Sequence, residues 1–195
     1  EEATEAQIKW SATDYDALYY RNYYTDRQDN LKEKLQSEAY ALIDTSIVVA
    51  NQTDVEQPWE LRYKIVDKPM RVKEKVYLAP FFDQVMSDNP LKQKKRTYPV
   101  DIVYPQKRSF TTIIDIPEGY RADFIPEDLT MDNSLFSMQY EAKVEADKIR
   151  VIFNYHLKKA IYSPNNYARI KYYFSAIADK GNEKIVLTRA SAEGS

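Results

Sequence analysis

Histidine and cysteine, two residue types common in catalytic sites, are nearly absent from this chain of 195 residues. His156 is the only histidine, and cysteine is absent. A catalytic imidazole needs a carboxylate that orients it and a nucleophile beside it. Strand alternation predicts that His156 points to a polar face with Arg150, Asn154 and Lys158, and no serine in a strained turn accompanies it. A histidine-centred nucleophilic site is therefore not expected.

Paired carboxylates are the other candidates for chemistry, with Asp14/Asp16 and Glu127/Asp128 as examples. Glycosidases use two carboxyl groups ~5–10 Å apart across a cleft, but a chain with 30 acidic residues forms many close pairs by chance. We attribute the first pair to capping of a helix that begins near Thr13, and the second to a turn. A hydrolase that uses paired acids is thus the least favoured alternative. The sequence predicts no catalytic residue, no metal site and no cofactor; with only three glycines, a phosphate-binding loop is also not expected.

Tyrosine is unusually frequent, with 17 residues, several of them adjacent in the chain. Neighbouring residues on a helix point ~100° apart, so each adjacent pair must expose at least one ring. Our main interpretation of the tyrosine excess is packing along β-sheets and helix–sheet contacts. The alternative is a platform that binds glycans or peptides, for which the candidate residues are Tyr19, Tyr23, Tyr172 and Tyr173.

Composition excludes several classes of protein. The formal charge of −2 gives no electrostatic reason to expect nucleic-acid binding, and the basic run Leu91–Arg96 is interpreted as a solvated loop. The absence of cysteine excludes disulfides and zinc–thiolate sites. No apolar stretch approaches the ~20 residues that span a bilayer, so no membrane span is predicted.

The first half of the sequence predicts a helical segment followed by strands. Gln7–Trp10 has the pattern of a short strand, and helical spacing follows, with an interruption at Asp29-Asn30. The residues predicted to lie on one side of this helical segment are Tyr20, Tyr24, Leu31, Leu35, Ala39 and Leu42. "LIDTSIVVAN" and "WELRYKIV" then predict an antiparallel pair of strands, "VKEKVYLAP" a third strand, and "FFDQVMSDNP" has ambiguous helical spacing.

The second half predicts a cleaner pattern of strands and one late helix. Apolar and polar residues alternate from Phe110 to Ile116, before Pro117. They alternate again in both strands of a predicted hairpin, 136–145 and 149–157. For the late helix, Ser163 is predicted as the N-cap, Pro164 as the first helical residue, and Gly181 as a left-handed C-cap. Its buried stripe is predicted to comprise Tyr167, Ile170, Phe174 and Ile177. "KIVLTR" predicts a final strand.

These elements predict an α+β fold that is mainly β, with antiparallel β-sandwich-like sheets, an N-terminal helical segment and one C-terminal helix. Residues 1–95 are predicted to form a helix-plus-strands linking segment packed on the sheet. Residues 96–189 are predicted to form a C-terminal β-sandwich-like domain that contains the late helix, and residues 190–195 a tail.

The order of several short motifs carries a family resemblance. "TYPVDIVYP", "FTTIIDIPEGY", "FIPEDL", the hairpin and "YARIKYYFSAIADKGNEKIVLTR" together resemble the C-terminal domain of unknown function of bacterial transglutaminase-like envelope proteins, which have a cysteine-protease-like catalytic core. The resemblance covers about residues 96–189, and residues 1–95 more loosely resemble the segment that links the core to this domain.

The resemblance implies a non-catalytic accessory or scaffold module that supports or orients the catalytic core. The family's Cys–His–Asp set belongs to that core, so no catalytic residue is carried over to this chain. The implied partner is the transglutaminase-like core of the chain's own full-length protein, with an envelope protein or a glycan as a further partner. The implied location is exported, either periplasmic or in the cell envelope.

Overall fold

Antiparallel strands make up most of the regular backbone. The computed structural model describes residues 4–37, 40–67, 69–82 and 84–190. Its strands are β1 (Thr4–Ala12), β2 (Tyr40–Ala50), β3 (Trp59–Asp67), β4 (Met70–Val72), β5 (Lys75–Leu78), β6 (Val100–Asp101), β7 (Gln106–Asp115), β8 (Tyr120–Phe124), β9 (Leu129–Asp132), β10 (Phe136–Glu145), β11 (Lys148–Leu157), β12 (Ile161–Tyr162) and β13 (Ile185–Arg189). Its α-helices are α1 (Asp14–Tyr24), α2 (Gln28–Leu35) and α3 (Tyr167–Asn182), and α3 follows a short 3₁₀ helix, Pro164–Asn166.

The strands form three antiparallel sheets. The largest has seven strands in the order β2-β3-β1-β7-β11-β10-β9. A four-stranded sheet has the order β4-β5-β13-β8, and β12 pairs with β6. The predicted α+β, mainly β class with a C-terminal helix is confirmed. The seven-stranded sheet takes strands from both sides of residue 95, and the division of the chain at that residue stays a prediction.

Alternation of apolar and polar residues places one face of the seven-stranded sheet in the core. Every second side chain is buried on β1, β3 and β11 and through most of β7 and β10. The predicted hairpin is confirmed, with Glu145 opposite Lys148 at the turn between β10 and β11. The other face carries polar side chains and is the open face of this sheet.

The buried face is covered by α1, by α3 and by the segment that contains Phe81. The Phe81 ring is fully buried, with its centroid 5.5 Å from that of Phe153 and 6.1 Å from that of Tyr140. The predicted stripe of α3 is confirmed as buried, and the four-stranded sheet contributes to the same hydrophobic cluster. One core therefore holds the helices and both large sheets together.

The spacing of apolar residues predicted some helix boundaries incorrectly. The break between α1 and α2 falls at residues 25–27, and Asp29 lies inside α2. Leu42 belongs to strand β2, whereas Ala39 lies outside the described residues. The segment around Phe81 and Val85 forms turns and no helix, despite its helical spacing. Both side chains are buried in that segment, so tertiary packing decided its conformation.

Gly181 does not act as the predicted left-handed C-cap, because α3 continues through it to Asn182. The reason for glycine is a close approach to the segment after Phe81. A Cβ atom at residue 181 would lie 2.6 Å from Val85 Cγ1, much closer than van der Waals contact allows. Gly181 therefore lets Val85 pack directly on the backbone of α3.

Replacing Gly181 with alanine is expected to lower the free energy of unfolding by about 1–3 kcal/mol, the usual effect of overpacking a core. In an unobstructed helix, the same change would stabilise by about 0.5–1 kcal/mol, so the sign of the effect distinguishes the two cases. Urea unfolding measures it. In a Val85→Ala background, which removes Cγ1 but leaves Cβ 3.1 Å away, the cost of Gly181→Ala should become smaller. An unchanged cost in that background would contradict the explanation.

Candidate functional site

Helix α1 exposes three tyrosines that are spaced four residues apart. Tyr15, Tyr19 and Tyr23, which we call the tyrosine row, have exposed fractions of 62%, 53% and 40%. The rings of Tyr19 and Tyr23 are nearly parallel, with an interplanar angle of 11° and centroids 5.8 Å apart. The Tyr15 ring lies 5.2 Å from that of Tyr104. The structure thus brings the two predicted residues Tyr19 and Tyr23 together on one surface.

The neighbouring tyrosines of α1 belong to the core. Tyr20 and Tyr24 are buried, and the Tyr20 ring lies 4.3 Å from that of Trp10 and 5.1 Å from that of Trp59. The prediction that each adjacent pair exposes one ring is therefore confirmed. The buried rings fix the helix on the sheet, and the exposed rings of the tyrosine row face outward.

Asp16 anchors the N-terminal part of α1 to strand β7 and to the preceding loop. Its carboxylate accepts a hydrogen bond from the Tyr104 hydroxyl at 2.8 Å and forms an ion pair with Arg108 Nε at 3.2 Å. The predicted capping role for Asp16 is wrong, since no side chain caps this helix and Thr13 donates to Asp14 instead. A capping pattern involves only neighbouring residues, so it could not predict that Asp16 has partners about 90 residues away in the chain.

Burial, reinforced by the hydrogen bond to the Asp16 carboxylate, raises the pKa of Tyr104 to about 12. The hydroxyl therefore keeps its proton and remains a donor to Asp16 at neutral pH. Because its ring also contacts Tyr15, Tyr104 connects the buried anchor to the tyrosine row.

Arg21 is a second anchor, which the sequence analysis missed. Its guanidinium is almost fully buried and donates to the backbone carbonyls of Asn51, Asp54 and Gln57, at 3.1, 2.6 and 2.5 Å. These carbonyls belong to the loop between β2 and β3, so Arg21 ties α1 to that loop. Its spacing of four residues from the buried Ala17 was the available signal that it lies on the inner side of the helix.

The second predicted tyrosine pair lies on α3. Tyr172 is 60% exposed and lines, with Arg169 and Asp132, a depression of about 520 Å³. Tyr173 is buried and stacks on Phe136, with centroids 4.5 Å apart and an interplanar angle of 10°. The Tyr173 ring is thus part of the core, whereas Tyr172 is available at the surface. The role of these tyrosines in binding stays a prediction.

His156 lies on the open face of the seven-stranded sheet, opposite Lys107 on one side and Ser137 on the other. Partial burial lowers the pKa of His156, and the positive charges of Lys107 and Lys158 lower it further, against an opposing effect of Asp14. The imidazole is therefore neutral at pH 7.

We expect the pKa of His156 to lie below its ordinary value of 6.5 and to rise toward that value when Lys107 is replaced by methionine. Because a lowered native pKa favours the neutral form, this group's contribution to stability is present above pH 6.5. It is lost as the pH falls below that value. The single histidine gives one imidazole Hε1 resonance, whose titration by NMR measures the pKa directly. An unchanged pKa in Lys107→Met would contradict the assigned cause.

The described residues contain neither a candidate metal site nor a helix that could span a membrane. In that part of the chain, no three acidic or imidazole side chains come together in a way that could hold a metal ion. Within the same residues, no helix combines the length and the apolar character needed to cross a bilayer.

The fold and its exposed helix define a mainly antiparallel β domain with an anchored aromatic surface. Over residues 74–187 the chain matches the model of a family described as a domain of unknown function with a solved structure (DUF3858). Since this match spans more than half of the chain, the chain belongs to that family. The predicted assignment to a domain of unknown function is thereby confirmed. Searches among curated proteins and among solved structures found no match.

Proposed function

We propose that this chain is a non-catalytic accessory module that supports or orients a transglutaminase-like catalytic core of the same full-length protein. The order of the sequence motifs supports this proposal. The single structural observation that carries it is the tyrosine row, because exposed aromatic side chains on a fixed element are typical of contact surfaces. The proposed location is exported, periplasmic or in the cell envelope, as the motif order implies.

The two anchors make the tyrosine row suitable for a stable contact. Asp16 and Arg21 hold α1 from opposite ends, so the exposed rings are presented by a helix of fixed position. A surface that is ordered before binding loses less conformational entropy when it forms a complex. Tyrosine adds large contact area with only two side-chain torsions, and it is enriched among the residues that dominate binding energy.

The first test uses this chain and the catalytic core as separate proteins. Replacing Tyr15, Tyr19 and Tyr23 together by serine should weaken the association of the separately purified catalytic core with this chain by at least about tenfold, as measured by calorimetry. Tyr98→Ser is the matched control, since that ring is 78% exposed and lies in a different part of the chain.

Deletion of residues 96–195 from the full-length protein should lower its folding yield or its handling of substrate. The proposal fails if both remain unchanged. It fails equally if the full-length protein encodes no transglutaminase-like core.

A second candidate function is binding of a glycan or a peptide, and the nearly parallel rings of Tyr19 and Tyr23 favour it. Aromatic faces pack against the apolar faces of sugar rings and against extended peptides. Titration with soluble envelope glycans and with peptides, followed by NMR, should then shift the resonances of α1. Loss of these shifts in Tyr19→Ala, together with unchanged binding of the catalytic core, would favour this function over the first.

A further inference from the structure

A depression of about 620 Å³ lies on the open face of the seven-stranded sheet, and no residue of the tyrosine row lines it. Strands β7, β11, β10 and β9 form its floor, and its volume lies in the range of ~300–1,000 Å³ that is usual for small-molecule sites. We call it the polar depression and define it by the side chains of Lys107, Ser109, Thr130, Asp132, Ser137, Gln139, Asn154 and His156.

The strand register arranges these eight side chains in two parallel rows. In the first row, Ser109 lies opposite Asn154, Asn154 opposite Gln139, and Gln139 opposite Thr130. In the second row, the same three pairings join Lys107, His156, Ser137 and Asp132 in that order. Since the rows are two residues apart on every strand, all eight side chains lie on one face.

The first row is a continuous set of uncharged hydrogen-bonding groups. It combines two hydroxyls and two amides, each able to donate and to accept. The Ser109 hydroxyl bonds to the Asn154 amide oxygen, which directs the amide nitrogen of Asn154 away from Ser109. Such a row is complementary to a ligand with several hydroxyl groups, because each ligand hydroxyl can both donate a hydrogen bond to the row and accept one from it.

The second row carries a positive charge, Lys107, at its β7 end and a negative charge, Asp132, at its β9 end. Lys107 lies next to His156, and Lys158 directly follows the end of β11, two residues after His156. Lys158 is held by Asp132 and by the backbone carbonyl of Asn133. Burial is the main cause of the lowered pKa of His156, and Lys107 and Lys158 each lower this pKa by more than Asp14 raises it. Since Asp132 neutralises Lys158, the end of the depression at Lys107 is the one that favours a negatively charged group.

We propose that the polar depression binds an anionic saccharide, with sugar hydroxyls along the first row and a carboxylate or phosphate against Lys107 and His156. Sugar acids and sugar phosphates share this chemistry, and their relative affinities distinguish them. The site is separate from the tyrosine row, so the inference goes beyond the proposed function and does not depend on it.

The single histidine serves as the reporter for the test. The protein is titrated with glucuronate, glucose 6-phosphate, glucose and inorganic phosphate, while the His156 imidazole and the backbone amides of β10 and β11 are followed by NMR. Affinities on the order of 1 mM are expected for the anionic sugars. Their binding should raise the pKa of His156, because a negative charge beside the ring stabilises its protonated form. If glucuronate binds more tightly than glucose 6-phosphate, the site prefers a carboxylate, and the reverse order shows that it prefers a phosphate.

Two variants of the polar depression and two controls test the separate parts of the inference. Gln139→Ala should weaken all three sugars by about threefold to tenfold, whereas Lys107→Met should abolish the preference for anionic sugars over glucose. The matched control, Lys143→Met, removes an exposed lysine from the same strand as Gln139 and should leave binding unchanged. The triple serine variant of the tyrosine row should also bind normally, so failure of the proposed function leaves this result unaffected.

Three results would overturn the inference. The first is the absence of saturable shifts with any sugar up to about 20 mM, well above the expected affinity. The second is binding of inorganic phosphate as strong as that of glucose 6-phosphate, which would reduce the site to an anion contact. The third is an unchanged preference for anionic sugars in Lys107→Met.

Discussion

Replacing Asp16 with alanine should lower the free energy of unfolding by about 3 kcal/mol, at the lower end of the range for breaking a buried ion pair. The Asp16 side chain is only 5% exposed, and its removal leaves Arg108 without its carboxylate and the Tyr104 hydroxyl without its acceptor. For a protein of this size, such a loss lowers Tm by about 6–12 °C. Urea or thermal unfolding measures it.

Two comparisons make this prediction specific. Asp26→Ala removes an exposed carboxylate near the other end of α1 and should change stability by no more than about 0.5 kcal/mol. The double variant Asp16→Leu/Arg108→Met removes both charges and should recover much of the loss. If Asp16→Ala costs less than about 1 kcal/mol, the carboxylate does not anchor α1.

Replacing Phe81 with alanine should have an equal or larger effect, about 3–5 kcal/mol. Its ring is fully buried, and it contacts Phe110, Tyr140 and Phe153, which lie on three neighbouring strands. Truncation therefore leaves a cavity against the centre of the seven-stranded sheet, which the rigid strands fill only in part. Urea unfolding with an unchanged m-value would show that the loss comes from the native state.

Phe124→Ala is the matched control, since that ring is 50% exposed at the end of β8 and its truncation should cost far less. Phe81→Leu keeps most of the volume and should cost about half as much as Phe81→Ala. A cost for Phe81→Ala no greater than that for Phe124→Ala would show that the segment around Phe81 does not pack on the sheet.

Periodicity predicted the elements whose partners are close in the chain. Alternation gave the hairpin of β10 and β11 correctly, because its register follows from a short turn and one buried face. The stripe of α3 was also predicted correctly, since residues three and four apart share one face of a helix. Local geometry decides both cases.

The errors occurred where a distant residue determines a local role. Asp16 fits a helix-capping pattern, but its partners Tyr104 and Arg108 come from the other half of the chain. Gly181 stands near a helix end as a C-cap does, but Val85, almost one hundred residues earlier, requires its missing side chain. A capping rule considers only neighbours in sequence, so it cannot detect either contact.

The two candidate surfaces also differ in whether local sequence determines them. Tyr19 and Tyr23 could be paired in advance, because the helical repeat alone places them on one side of α1. The polar depression could not be predicted, since it needs the register of four strands, of which β7 joins the sheet from a separate part of the sequence. Only the assembled sheet aligns Ser109 with Asn154 and Gln139.

The position of β1 within its sheet bears on how a shortened protein would behave. This first strand lies between β3 and β7, and seven of its residues pair with β7. A piece confined to the family segment, residues 74–187, contains β7 but not β1, so one side of β7 would present unpaired amide and carbonyl groups next to apolar side chains. Such an edge recruits strands from other molecules. We therefore expect that piece to self-associate on a gel-filtration column, and a peptide comprising residues 4–12 to restore a monomer by strand complementation.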